Sequence, residues 1–165
     1  MESGRESRGS TFFLKAVVYL IGLAVLALCV FAVPGIANYM KELYPEHGYL
    51  KYLVFIDFYA TAVPFYLALY QALRLLGCID KSLAFSELSV SALKKIKWCA
   101  IAVSALYVLG LPLFYLMGEK DDAPGVIVIG LVIIFASMVI AVFAAVLQKL
   151  LRNAIDIKSE NDLTV

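Results

Sequence analysis

The chain has 165 residues, 63% of them hydrophobic, a mean hydropathy of +0.90 and a formal net charge of +1. A soluble monomer of this composition would expose large apolar patches, and direct nucleic-acid binding would call for a basic excess far beyond a single charge. The length suits one membrane-embedded domain, 1–165, with no appended soluble module.

Four apolar stretches fill most of the sequence, at approximately 12–33, 52–76, 96–117 and 125–147. Each is long enough to cross a hydrocarbon core of about 30 Å, which takes about 20 helical residues. Spanning segments must satisfy their own backbone polar groups, so the fold class is all-α: an integral membrane four-helix bundle. Eleven of the Lys and Arg residues flank one side of these stretches and three the other. The richer side, which carries both termini, is therefore expected to be cytoplasmic in a bacterial cell membrane. The first stretch follows a basic segment as a signal peptide would, but it is longer than the usual ~7–15-residue apolar region and is read as a retained helix.

In chain order, residues 1–11 are polar and glycine-containing and are expected to form a disordered arm. Val33-Pro34-Gly35 combines two helix breakers and is expected to end the first span. The loop 36–51 and the start of span two carry Tyr39, Tyr44, Tyr49 and Tyr52, an interfacial belt or, alternatively, a platform for a sugar or aromatic ligand. In span two, Asp57, Thr61, Pro64, Ala68 and Gln71 fall on one helical face. Asp57 is the one carboxylate inside a span, and an intramembrane acid marks a candidate functional site. Thr61, one turn on, and a tyrosine from another helix are its natural partners; Asp57, Thr61 and Gln71 make the candidate polar site.

The connection 77–97 should be a turn at Asp80-Lys81-Ser82, then a helix start at Ser86-Glu87. A short interfacial helix there would run into span three, with Trp98 at headgroup level. Lys94, Lys95 and Lys97 would sit beside anionic lipid or dock a cytosolic protein. Span three offers Ala100, Ser104 and Tyr107 as its inward stripe. Segment 118–124 is a tight turn in which Asp122 or Ala123 caps span four and Pro124 takes its first position; its acids lack the spacing of a calcium loop. Span four presents Gly130, Ser137, Ala141, Ala144 and Gln148 on one face, with Ile134 the bulky member, and span one presents Lys15, Tyr19, Gly22, Leu26 and Cys29. Small and weakly polar residues belong at helix contacts in lipid.

Beyond span four, Leu150, Leu151 and Ile155 make an apolar edge, and 158–165 is expected to be a flexible tail that orders when bound. Within it Glu160, Asp162, Leu163 and Val165 are candidate docking residues. No catalytic constellation is present: His47 has no serine and acid in reach, Asp57 has no second carboxylate, and no phosphate-binding glycine loop occurs. Cys29, Cys78 and Cys99 form no C-x-x-C pair, and neither a metal nor another cofactor is expected.

The runs Pro64-Phe65-Tyr66-Leu67-Ala68-Leu69-Tyr70-Gln71-Ala72-Leu73 and Ile79-Asp80-Lys81-Ser82-Leu83-Ala84-Phe85-Ser86, with the ending Ala154-Ile155-Asp156-Ile157-Lys158-Ser159-Glu160-Asn161-Asp162-Leu163-Thr164-Val165, resemble a family of small bacterial membrane proteins, domain of unknown function 2975. The resemblance runs from the first span to the last residue. It implies four transmembrane helices and a frequent genomic neighbour, a small helix-turn-helix regulator of the Cro/C1 type. The expected function is a membrane sensor or anchor that interacts with a small cytosolic transcriptional regulator. The alternative is a small proton- or cation-coupled transporter, or a ligand-binding bundle, using Asp57. No enzymatic activity is expected.

Overall fold

The computed structural model describes residues 2–164, and among them the regular structure is entirely helical. Helix α1 (Glu2–Ala27) passes through a π-helical turn (Leu28–Ala32) into α2 (Val33–Leu43). Then come α3 (Tyr49–Asp80), α4 (Glu87–Lys120) and α5 (Gly125–Leu163). Four segments are long and apolar enough to cross a membrane: Arg8–Leu43, Tyr49–Asp80, Glu87–Lys120 and Gly125–Leu163. The helices alternate in direction and pack mainly on their neighbours in the chain, α1 on α3, α3 on α4 and α4 on α5.

The first span does not end at Pro34-Gly35. The helix absorbs the proline because Pro34 falls just after the π turn, in the first turn of α2, where a missing N–H costs little. In the π turn the Val33 N–H is directed to the Leu28 carbonyl instead of that of Cys29. The next candidate donor for Cys29 would be the nitrogen of Pro34, which has no hydrogen. The Tyr59 hydroxyl of α3 fills the gap, donating to the Cys29 carbonyl at 3.2 Å. A sequence break thus becomes an interhelical contact.

Tyr66 makes a second such bond, donating to the Gly22 carbonyl at 2.7 Å. The two donors are seven residues apart on α3 and the two acceptors seven apart on α1, in opposite chain directions, as an antiparallel heptad-spaced pair requires. A Cβ on Gly22 would lie 3.4 Å from Leu69, so the glycine lets α1 sit close on α3. Because α1 has one neighbouring span, its contact line is narrow. Gly22 and Cys29 are half-buried, but Tyr19 and Leu26 are 67% and 51% exposed and leave the inward stripe assigned to them.

The α4–α5 contact follows the expected small-residue stripe: Gly130, Ser137, Ala141 and Ala144 of α5 are all buried, facing Ala100, Val103, Ser104 and Phe114 of α4. Gly130 admits the Phe114 ring, which a Cβ would meet at 3.4 Å, and the Ser104 hydroxyl donates to the Ile134 carbonyl at 3.2 Å. At the end away from the termini, Ala37 and Met40 of α2, Leu50 and Val54 of α3 and Met117 of α4 form a buried cluster. Tyr44 closes it, donating to the Leu116 carbonyl at 3.0 Å.

Two of the three inter-span turns, those after α3 and α4, stop their helices with a residue in the left-handed region. Ser82 (φ 60°) follows α3, with Leu83 N–H bonded to Cys78 O at 2.8 Å and Ser82 N–H to Ile79 O at 3.2 Å. Asp122 (φ 50°) follows α4, with Ala123 N–H on Gly118 O at 2.9 Å. These bonds satisfy carbonyls that a helix end would otherwise orphan. Pro124 takes the position before the first residue of α5 rather than the first helical position, and neither Asp122 nor Ala123 is the cap.

Two further expectations change: the arm expected to be disordered is helical from Glu2, and the tail continues α5 to Leu163, whereas the helix expected to start at Ser86-Glu87 does run into span three as the opening of α4. In each case the polar segment abuts a long apolar helix, so it extends an existing hydrogen-bond ladder without a new nucleation event.

Ala141→Leu should separate α4 from α5, at an overpacking cost of about 1–3 kcal/mol. Melting in mild detergent should fall for this variant and stay unchanged for Phe143→Leu on the 64%-exposed outer face. Equal melting of all three proteins would contradict this packing.

Candidate functional site

Asp57 lies eight residues into α3, about 12 Å along the helix from Tyr49. Its carboxylate rests directly on the backbone of Gly110 of α4. A Cβ built on that glycine would fall 2.5 Å from Oδ2 and 2.7 Å from Oδ1 and Cγ, so only glycine leaves room for the acid there. Tyr107, one turn before Gly110, lies within electrostatic reach of Asp57 and stacks on Phe114 with ring centroids 6.0 Å apart. Phe58, the residue after Asp57, meets Phe114 edge-on, also at 6.0 Å. The acid therefore sits in a niche between α3 and α4, formed at Gly110 beside Tyr107.

The expected trio does not converge on one ligand. Thr61 is buried, but its hydroxyl donates at 2.7 Å to the backbone carbonyl of Asp57, not to the carboxylate. Among the described residues no cation pairs with the carboxylate and no hydrogen bond reaches it. Gln71 is buried fourteen positions further along α3, roughly 21 Å away along the axis, with its Oε1 unpartnered among the described residues. Gly110 is the residue that the sequence reading missed. The signal was available: it extends the Ala100, Ser104, Tyr107 stripe by three residues, and a mid-span glycine marks close backbone approach.

The end that carries the termini is tied by two ion pairs. Lys15 of α1 meets Asp80 of α3 at 2.5 Å, and Arg152 of α5 meets Glu87 of α4 at 2.5 Å. Asp80 lies four residues beyond the apolar stretch 52–76. The Lys15 hydrogen bond holds its carboxyl below the ordinary carboxylate range, helped by the charge of Lys15, the buried Thr11 and the charge of Arg8 against partial desolvation. Ser86 precedes the first residue of α4 as expected, but its hydroxyl donates to the Leu83 carbonyl at 2.5 Å, where Ser89 also donates at 3.1 Å.

Of the candidate docking residues, Lys94 and Lys95 are exposed on the first turns of α4, while Lys97 is half-buried with its ammonium 5.2 Å from the Trp98 ring centre. Glu160, Asp162 and Leu163 are exposed on the last turns of α5, and Val165 lies outside the described residues. The two groups sit at the same end of the molecule on different helices. Leu151 and Ile155 are half-buried, whereas Leu150 and Ile157 are 59% and 62% exposed, so the apolar edge of the α5 extension differs from the one expected. At the opposite end the tyrosine belt is partly built into the fold. Tyr44 is bonded to Leu116 and has the Lys120 ammonium 4.7 Å from its ring centre, and His47 packs edge-on against Tyr49 at 5.7 Å.

A model of the family described as protein of unknown function (DUF2975) matches residues 35–165. The chain is also 69% identical over 159 residues to the protein named "Uncharacterized membrane protein YoaS" of Bacillus subtilis (strain 168), covering 96% of this chain and 99% of that protein. The chain belongs to the DUF2975 family and is a multi-pass membrane protein. The family match starts at Gly35, past most of the first span, rather than at the first span itself. No solved structure matches the chain.

Two outcomes are expected from this geometry. Gly110→Ala should drive the Asp57 carboxylate out of its niche and destabilise the protein by about 1–3 kcal/mol. The same change in an Asp57→Ala background should cost much less; additive effects in this double-mutant cycle would show that the two residues do not touch.

The second concerns pH. The Asp80 pKa is lower folded than unfolded, so its stabilisation is full above the ordinary carboxylate range and disappears as pH falls through the lowered value. The melting advantage of the natural protein over Asp80→Asn should therefore be present at neutral pH and vanish in strong acid. An advantage that persists there would contradict the ion pair.

Proposed function

We propose that the protein is a non-enzymatic membrane anchor or sensor, with both termini cytoplasmic in the bacterial cell membrane, that holds a small cytosolic transcriptional regulator at the bilayer. The orientation follows from the excess of Lys and Arg at the terminus-bearing end. The observation that carries the docking reading is the length of α5. Its 39 residues run about 58 Å, nearly twice the hydrocarbon thickness, so the helix continues well past the membrane.

On that extension Leu150, Ile157 and Leu163 remain exposed among charged residues. Apolar side chains on a protruding amphipathic helix are the usual means of entering a partner's groove. The Arg152–Glu87 ion pair couples the base of this extension to the start of α4, so a rearrangement of the spans would tilt the docking helix. The regulator as partner rests on the genomic neighbour that the family resemblance implies.

Deleting 160–165 should leave expression and membrane insertion intact while releasing the regulator from the membrane fraction and altering transcription of its targets. Unchanged regulator localisation and transcription would remove the last residues of α5 as the docking element and leave the exposed Leu150 and Ile157 and the lysines Lys94, Lys95 and Lys97.

The Asp57–Gly110 niche supports a second reading, a proton- or cation-coupled bundle. It is distinguished by flux in liposomes that disappears on Asp57→Asn.

A further inference from the structure

The terminus-bearing end contains a cavity that the docking function leaves unused. It lies between the start of α1 and the end of α3, has a volume of about 390 Å³, and is lined by Arg8, Phe12, Lys15, Asp80 and Lys81. That volume is in the range of small-molecule pockets, about 300–1,000 Å³. Arg8, Phe12 and Lys15 follow one another at steps of four and three, so one face of α1 supplies three of the walls. Three cations and one carboxylate give the cavity a surplus of two positive charges.

Those charges are not equivalent. Asp80 is engaged by Lys15 at 2.5 Å, which neutralises that lysine and fixes α1 against α3. Arg8 and Lys81 are exposed and form no ion pair within 4 Å among the described residues; the Arg8 charge acts on Asp80 only at longer range, and both side chains can turn their donors to an anion. The Arg8 guanidinium also offers the fork that matches phosphate oxygens. Elsewhere at this end the cations stand on open helix faces, as Lys94 and Lys95 do, or are paired, as Arg152 is with Glu87. Here they converge on a recess from α1 and from the turn that follows α3.

The remaining wall selects between kinds of anion. Phe12 is 74% exposed at the rim, where the apolar stretch of α1 begins, and it adds an apolar surface that a free inorganic anion has no use for. A phosphate group joined to acyl chains uses both features, with the phosphate on Arg8 and Lys81 and the upper chain segment along Phe12. Basic recesses between spanning helices at a membrane face are suited to such headgroups. We propose that this cavity is a binding site for the phosphate-bearing headgroup of an anionic phospholipid, with Arg8 and Lys81 as its principal ligands. Lipid bound there would bridge the start of α1 to the α3–α4 turn and reinforce the Lys15–Asp80 contact.

The test is native mass spectrometry of the full-length protein in mild detergent, titrated with phosphatidylglycerol, phosphatidylethanolamine or inorganic phosphate. Phosphatidylglycerol should bind more tightly than phosphatidylethanolamine, and Arg8→Gln combined with Lys81→Gln should weaken it about thirtyfold, the effect of two surface charges. Lys94→Gln combined with Lys95→Gln removes the same charge from residues that do not line the cavity, where solvent screening weakens the attraction, and should change affinity less than about threefold. Equal losses in the two double variants would reduce the effect to general surface charge and overturn the proposal. So would undiminished binding by the Arg8/Lys81 variant, or inorganic phosphate that competes with the lipid and shows the same sensitivity to that variant. None of these readouts involves the regulator or the orientation in the cell, so the site and the docking function stand or fall separately.

Discussion

In a bilayer no water is available to a freed peptide group, and this single constraint organises the molecule. The long helices satisfy most backbone groups internally, and the exceptions are where the helices meet. The carbonyl released by the π turn and Pro34 is taken by Tyr59, while Tyr66, Ser104 and Tyr44 donate to carbonyls of Gly22, Ile134 and Leu116. Each donor is a side-chain hydroxyl and each acceptor a backbone oxygen on another segment. The Tyr59 bond completes the backbone at Cys29, and all four bonds tie neighbouring helices together. Where hydroxyls are absent, close approach at Gly130, Ala141 and Ala144 provides the contact through dispersion.

Among the polar groups left over, those in the interior and at the terminus-bearing end carry the candidate chemistry. Asp57 occupies a niche that exists because residue 110 has no side chain, so a polar group inside the span is accommodated by shape. At the terminus-bearing end the two ion pairs link α1 to α3 and α5 to α4, and the long α5 extension rises from the second of them. The interhelical ion pairs of the described residues are thus gathered at that end, beside the longest helix.

Much of this was legible in the sequence because lipid imposes simple rules. Apolar length identified the four spans, and the small residues of span four identified the face that α5 turns to α4. Tyr19 and Leu26 were misplaced because a helix with one neighbouring span buries a narrower line than the repeat alone implies. Pro34-Gly35 was misread because a breaker motif says nothing about a π turn before it or a tyrosine on another helix. Asp57 was singled out for its charge, but its position depends on Gly110, and that pairing requires the register of α3 against α4. The helical arm and tail were missed because local polarity suggests disorder, whereas continuity with a long apolar helix supplies order.

The central claim joins the four-span arrangement to the proposed orientation, with the terminus-bearing end inside the cell. The direct test uses a variant lacking Cys29, Cys78 and Cys99, with one cysteine introduced at a time by Glu46→Cys or Asp162→Cys, and a membrane-impermeant maleimide applied to intact cells. The account predicts labelling of the Glu46→Cys protein in intact cells and of the Asp162→Cys protein only after the membrane is opened. Labelling of the Asp162→Cys protein in intact cells, or protection of the Glu46→Cys protein until lysis, would contradict it.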